Sequence, residues 1–149
     1  MSLENDINQP KFRNDFQKST INLIYTYNWM NEQMKKLFGS YEVTGQQYNI
    51  LRILRGAGKP LSTLQIRQRM LDKMSDTSRI VDRLVLKELV KKTDCEHDKR
   101  LVDIVITDRG QQLLEEMDKH QETMDKIMMN ISEEEAKTLN HLLDKIRNS

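Results

Sequence analysis

This 149-residue sequence has little cysteine, proline, glycine or aromatic side chain. The single cysteine, Cys95, excludes an intramolecular disulfide framework and a zinc site built from several cysteines. Two prolines and five glycines leave few places where a helix must break, so long helices are favoured. Because aromatic residues make up only 5% of the chain, the predicted core is aliphatic, with methionines filling its gaps.

Long apolar runs and targeting signals are also missing. No stretch approaches the roughly 20 apolar residues that a membrane span needs, and residues 1–10 lack the zones of a signal peptide. No Gly-rich phosphate loop or nucleophile–base set is present, which argues against an enzyme. His97 and Asp98 are neighbours that could share a metal, but a charged turn is the favoured interpretation. We therefore expect a cytoplasmic, non-catalytic protein without a cofactor or a metal.

Charge is nearly balanced, with a formal net charge of +1. Its distribution is uneven, because residues 107–149 carry 10 acidic and 6 basic side chains. The small basic excess therefore lies in the first two-thirds of the chain. This asymmetry is compatible with a nucleic-acid partner but does not indicate one alone.

Residues 44–107 have the pattern of three helices followed by a β-hairpin. Capping boxes at Thr44–Gln47 and Ser62–Gln65 start the first two helices. Ser75 is the predicted N-cap of the third helix, which runs to about Leu89.

The periodicity then changes to two strands, at residues 90–94 and 101–107. A short helix, a turn and an amphipathic helix make a helix-turn-helix, and the hairpin after it makes a winged helix. The predicted fold is mainly α with a small β-hairpin wing, in a single domain that spans residues 1–149.

Long helices are predicted on both sides of this unit, at residues 11–38 and within 108–147. The second range contains a helix to about Asn130 and a last helix that starts at the capping box Ser132–Glu135. Each helix carries an apolar stripe that the small winged-helix unit cannot cover. A second copy of the chain is the simplest partner, so we predict that these helices form a homodimer.

The third helix of the winged-helix unit is the candidate for the DNA major groove, where its N-terminal half reaches the bases. Arg79 has the geometry to bond a guanine with two donors, and Arg83 could reach a phosphate one turn later. The alternative is an ordinary solvated helix face. The predicted contacts with duplex DNA on this helix are Asp76, Thr77, Ser78, Arg79 and Arg83.

The tip of the hairpin is a second candidate contact. Lys99 and Arg100 lie at the end of an exposed ribbon and could enter a minor groove. Asp98 makes sense there if it accepts hydrogen bonds from a neighbouring arginine and fixes its direction. An ordinary charged turn is the alternative interpretation.

Residues 43–114 resemble the MarR family of regulators, the multiple-antibiotic-resistance type. The family pattern has a Thr-Arg or similar pair, then Asp-Arg-Leu, an Asp-x-Arg wing tip and Leu-Thr-x-x-Gly. Four pieces in this order and spacing are more specific than any one of them. The matching segments are VTGQQYNILRIL (43–54), TSRIVDRLVLKELVKK (77–92), HDKR (97–100) and VITDRG (105–110).

This resemblance implies a transcription regulator, a repressor released by a small ligand, that acts as a triangular dimer on a pseudo-palindromic operator. It places Ser78 and Arg79 on the recognition helix, Arg100 on the wing and Asp98 in the role of orienting Arg100. It also implies a small aromatic ligand, for which the sequence identifies no residues.

Two positions depart from the family pattern. Glu88 stands where a glycine is usual, so that it either adopts a left-handed conformation or the turn differs. Arg67 stands where a small alanine is common, and it either crowds the turn between the two helices or lies outward toward DNA.

Two other functions fit the sequence. The long apolar helices would also suit a dimeric protein-interaction module without DNA binding, although Arg79, Arg83 and Arg100 argue against it. Cys95 could make the protein a redox-sensing regulator, but the acidic residues on either side of it disfavour a reactive thiol.

Overall fold

The computed structural model describes residues 2–148 and is mostly helical with one small antiparallel sheet, which confirms the predicted fold class. Its contacts divide the chain into two compact units, one ending at Leu37 and the other starting at Phe38. The elements are α1 (Leu3–Asp6), α2 (Asp15–Ser40), α3 (Gly45–Ala57), β1 (Leu61–Ser62), α4 (Thr63–Arg69), α5 (Thr77–Leu86), β2 (Val90–Asp94), β3 (Val102–Ile106), α6 (Asp108–Asp118), α7 (Gln121–Asp125) and α8 (Glu133–Arg147).

The first unit contains α1 and most of α2. The helix predicted from residue 11 starts instead at Asp15, because the Asn14 side chain accepts a hydrogen bond from the Gln17 N–H at 2.9 Å and caps it. The short α1 was not predicted, since four residues are too few to show a helical period. Within this unit Glu4 forms an ion pair with Lys18, and Leu3 is buried.

The core of the second unit lies between α3, α4, α5, α6 and the sheet. The sheet order is β1-β3-β2, and Ile104 of β3 faces Leu61 on one side and Lys92 on the other. The hairpin of β2 and β3 was predicted, but β1 was not. The largest fully buried side chains are Ile50, Leu51, Leu61, Ile66, Met70, Val81, Leu84, Val90, Ile104, Leu114 and Met117.

Helix starts were mostly predicted. The capping boxes at Thr44, Ser62 and Ser132 are all formed. The prediction of Ser75 as the N-cap of α5 is wrong, because Ser75 donates its hydroxyl to the Asp72 carbonyl and Asp76 caps the helix instead. This helix ends at Leu86, three residues before the predicted end.

The single helix predicted at residues 108–130 is two helices, α6 and α7. The N–H groups of Lys119 and His120 bond to the carbonyls three residues earlier, which tightens the last turn and ends α6. Asp118, at this end, accepts two hydrogen bonds from Arg55 of α3, at 2.7 and 3.1 Å. These bonds lower the pKa of Asp118 and attach the end of α6 to the winged-helix unit.

The turn after α5 is left-handed. Glu88 has φ of 59°, so the glutamate that replaces the usual glycine adopts the strained conformation. Its carbonyl accepts the Thr107 hydroxyl at 2.7 Å, and its carboxylate pairs with Arg109 at 3.1 Å. The end of α5 is thereby bonded to the start of α6.

Large apolar side chains remain exposed on the long helices near the chain ends. In α2 Phe38 is buried, whereas Phe16 is 85% exposed. No residue of α8 is buried. The exposed apolar residues of these two helices are Phe16, Leu23, Ile24, Tyr25, Tyr27, Trp29, Leu142 and Ile146.

Candidate nucleic-acid interface

Helix α5 has one buried face and one exposed, charged face. Ile80, Val81 and Leu84 are buried against the core, whereas Ser78, Arg79, Asp82 and Arg83 are exposed. Within residues 2–148, no carboxylate pairs with the guanidinium of Arg79 or Arg83. Both cations are therefore available to an external anion or base.

Asp76 and Thr77, which were also predicted to contact DNA, are less available to it than Arg79 and Arg83. The Asp76 carboxylate is exposed but accepts the Arg79 N–H at 3.2 Å, so one of its oxygens caps the helix. Thr77 is only 3% exposed, and its hydroxyl has no hydrogen-bond partner in the described part of the chain. This burial argues against the predicted contact of Thr77 with DNA.

The turn between α4 and α5 is fixed by polar side chains that were not predicted. The Asp72 carboxylate accepts the Met74 N–H at 2.9 Å and the Gln46 amide at 3.1 Å. The Asn49 side chain of α3 accepts the Leu71 N–H at 3.0 Å. An aspartate two residues before the N–H that it binds is a common turn signal, but the partners on α3 have no local sequence signal.

A second contact that was not predicted joins the recognition helix to the wing. Lys92, on β2, pairs with Asp82 on α5, with 2.6 Å between the ammonium and the carboxylate oxygen. Both side chains are largely exposed, so this pair adds little stability. It links the exposed face of α5 to the strand that leads to the wing tip.

At the wing tip, Asp98 and Arg100 contact each other. Arg100 donates from Nε and Nη2 to the two Asp98 carboxylate oxygens, both at 3.1 Å, and its backbone N–H donates at 3.0 Å. These bonds from Arg100 hold the pKa of Asp98 below its usual range. The Arg100 side chain is still 89% exposed, and Lys99 is exposed beside it.

Among the described residues, no helix is long and apolar enough to cross a membrane, and no three His, Cys, Asp or Glu side chains are grouped to hold a metal. Cys95 is half-buried in the turn that follows β2.

Known proteins are similar to this chain in sequence and in fold. Residues 41–101 match the model of the MarR family. The HTH-type transcriptional regulator PecS of Dickeya dadantii is 29% identical over 120 residues, which cover 78% of this chain and 72% of PecS.

Two solved structures show the same fold. A mutant MarR from E. coli complexed with operator DNA is 21% identical, with a TM-score of 0.76 over 98% of this chain and 99% of that chain. BpsR from Bordetella bronchiseptica is 20% identical, with a TM-score of 0.78 over 87% and 93%. The family-model match, the relative and the shared fold make this chain similar to regulators of the MarR family.

Proposed function

We propose that this chain is a transcriptional regulator that binds duplex DNA sequence-specifically as a homodimer. The observation that carries this proposal is the pair of exposed, unpaired arginines, Arg79 and Arg83, on the outer face of the recognition helix. The related MarR structure with operator DNA supports the same partner. We assign the chain no catalytic role and expect it in the cytoplasm, where a bacterial chromosome lies.

The DNA contacts divide between helix and wing. Ser78 and Arg79 are proposed to reach base edges in the major groove, and Arg83 a phosphate one turn later. Lys99 and Arg100 are proposed to contact the minor groove, with Asp98 orienting the guanidinium through two hydrogen bonds. Arg100 keeps Nη1 outside these bonds, so one edge of its guanidinium can still face DNA.

A small aromatic ligand is proposed to release the repressor from DNA. Support comes from BpsR, whose DNA binding is regulated by 6-hydroxynicotinic acid. The ligand residues of this chain stay unassigned. Redox sensing by Cys95 is the weaker alternative, because Asp94 and Glu96 flank a thiol that would need cationic neighbours to become reactive.

The function is tested by selecting duplexes from a random library with the full chain and measuring affinity for the enriched duplex against salt. We expect a half-site motif that occurs twice, and a log–log salt slope of about −0.9 for each phosphate neutralised. Failure to enrich any duplex, or a nearly flat slope, would contradict DNA binding. The enriched duplex with its central bases shuffled is the control for specificity.

Dimerisation is proposed through the long helices at the chain ends, because their apolar side chains are exposed in the single chain. Sedimentation at micromolar concentration should give about twice the chain mass of 17.7 kDa. Deleting residues 132–149 should leave an aggregated or unfolded chain, since the apolar surface that α8 is proposed to cover in the dimer would then face water. A stable monomeric truncation that still binds the selected duplex would show that the dimer is not required.

A further inference from the structure

A groove of about 470 Å³ lies between α4 and the N-terminus of α5, beside the arginines assigned to DNA above. Arg67 of α4 lies on its wall and is exposed, so the residue that replaces the usual small alanine points outward. No acidic side chain in the described chain forms an ion pair with Arg67. The groove therefore offers an unneutralised guanidinium to a partner.

Two large apolar side chains lie on the same groove. Leu64 is 64% exposed and Met74 is 92% exposed. Single exposed apolar residues are ordinary, but two on one groove with a free cation match a partner that is both anionic and apolar. A nucleic-acid backbone has this composition, because each phosphate alternates with the carbon surface of a sugar.

We propose that this groove receives the sugar–phosphate backbone of one DNA strand, with Arg67 on a phosphate and Leu64 and Met74 against deoxyribose. The proposal rests on the proposed function and adds a contact that the recognition helix and the wing do not make. Ser78 lies both on the groove and on the exposed face of α5, so the groove continues the proposed DNA surface. The first helix of a helix-turn-helix crosses the backbone at this place.

Charge makes Arg67 necessary for this contact. The Asp76 carboxylate also borders the groove and would repel a phosphate. A guanidinium can offset that repulsion and bind phosphate oxygens with two parallel donors, which a lysine cannot reproduce. The neighbouring Arg69 is on the same helix but not on the groove. It is therefore the matched control.

The test uses the full chain and the duplex enriched by the wild type. Arg67→Ala should weaken binding about tenfold and lower the salt slope by about 0.9 in each half-site, evenly across sequences. Arg67→Lys should recover only part of the loss, and Arg69→Ala should have a smaller effect than Arg67→Ala on both quantities. Equal effects of Arg67→Ala and Arg69→Ala would overturn the proposal, because they would show a general charge effect.

Uncharged methylphosphonate linkages in the DNA backbone show which phosphate Arg67 contacts. Replacing phosphates one at a time with methylphosphonate should identify one position per half-site that weakens DNA binding by the wild type but not by Arg67→Ala.

Met74→Gln should weaken DNA binding more than Leu71→Gln, since Leu71 is 84% exposed on the same turn but does not border the groove. The proposal is overturned if no methylphosphonate position depends on Arg67, or if Met74→Gln changes the oligomeric state rather than DNA affinity. If no duplex is enriched at all, the proposed function fails as well, whereas these outcomes overturn the groove contact alone.

Discussion

Replacing Gly110 with alanine is expected to destabilise the winged-helix unit strongly. A Cβ at this position would lie 2.3 Å from the Leu89 carbonyl oxygen and 2.7 Å from Cγ1 of Ile106. The first of these atoms belongs to the backbone, which already accepts the Thr107 N–H at 3.1 Å and cannot turn aside as a side chain would. Overpacking usually costs about 1–3 kcal/mol, and a backbone clash should exceed that range and reach about 4 kcal/mol.

Gly56→Ala is the matched control. Gly56 also lies in a helix, α3, but a Cβ there would meet nothing within 4 Å. Alanine should therefore raise the free energy of unfolding, by up to about 1 kcal/mol. Urea denaturation followed by circular dichroism measures both variants. A Gly110→Ala protein with wild-type stability would show that α6 can move away from the turn after α5.

Features encoded by neighbouring residues could be predicted from the sequence. The three capping boxes need only a serine or threonine and a glutamine or glutamate three positions later, and all three are formed. The change to a period of two predicted the first hairpin strand at its observed bounds and the second within one residue at each end. The outer position of Arg79 followed from the helical period of α5, because its apolar residues define the opposite face.

The burial of Thr77 could have been predicted from the same helical period. Thr77 was instead placed at the DNA because it opens the recognition helix. However, it lies three and four residues before Ile80 and Val81, on the same buried stripe. Helical periodicity therefore favoured burial, and this signal was present in the sequence.

Features that depend on distant partners could not be predicted. The two-residue strand β1 is too short to show alternation and exists because Leu61 pairs with Ile104. The end of α6 at Asp118 coincides with two hydrogen bonds from Arg55, 63 residues earlier in the chain. Likewise, the turn between α4 and α5 depends on Gln46 and Asn49 of α3. These contacts link residues that only the folded chain brings together.

Arg79→Ala should lose discrimination between the selected duplex and duplexes mutated in the half-site. Its guanidinium is exposed and unpaired near the start of α5, where a recognition helix usually reads bases. Losing one bidentate contact to guanine costs about 1–3 kcal/mol in each half-site and relaxes specificity at that base pair. Binding to every single-base mutant of the half-site, measured for wild type and variant at one salt concentration, gives this cost directly.

Arg83→Ala and Arg100→Ala are the matched controls, because each removes one exposed arginine from the same surface. Arg83 lies one turn further along α5, where a phosphate is the expected partner, so its loss should weaken all duplexes alike. Arg100 is held by Asp98 at the wing tip, and the minor groove mainly distinguishes A·T from G·C pairs. Its removal should therefore weaken binding evenly and reduce the salt slope by about 0.9 for each phosphate that Arg100 neutralises. If Arg79→Ala also weakened all duplexes equally, Arg79 would be a phosphate contact, and the reading of bases would have to lie elsewhere on α5.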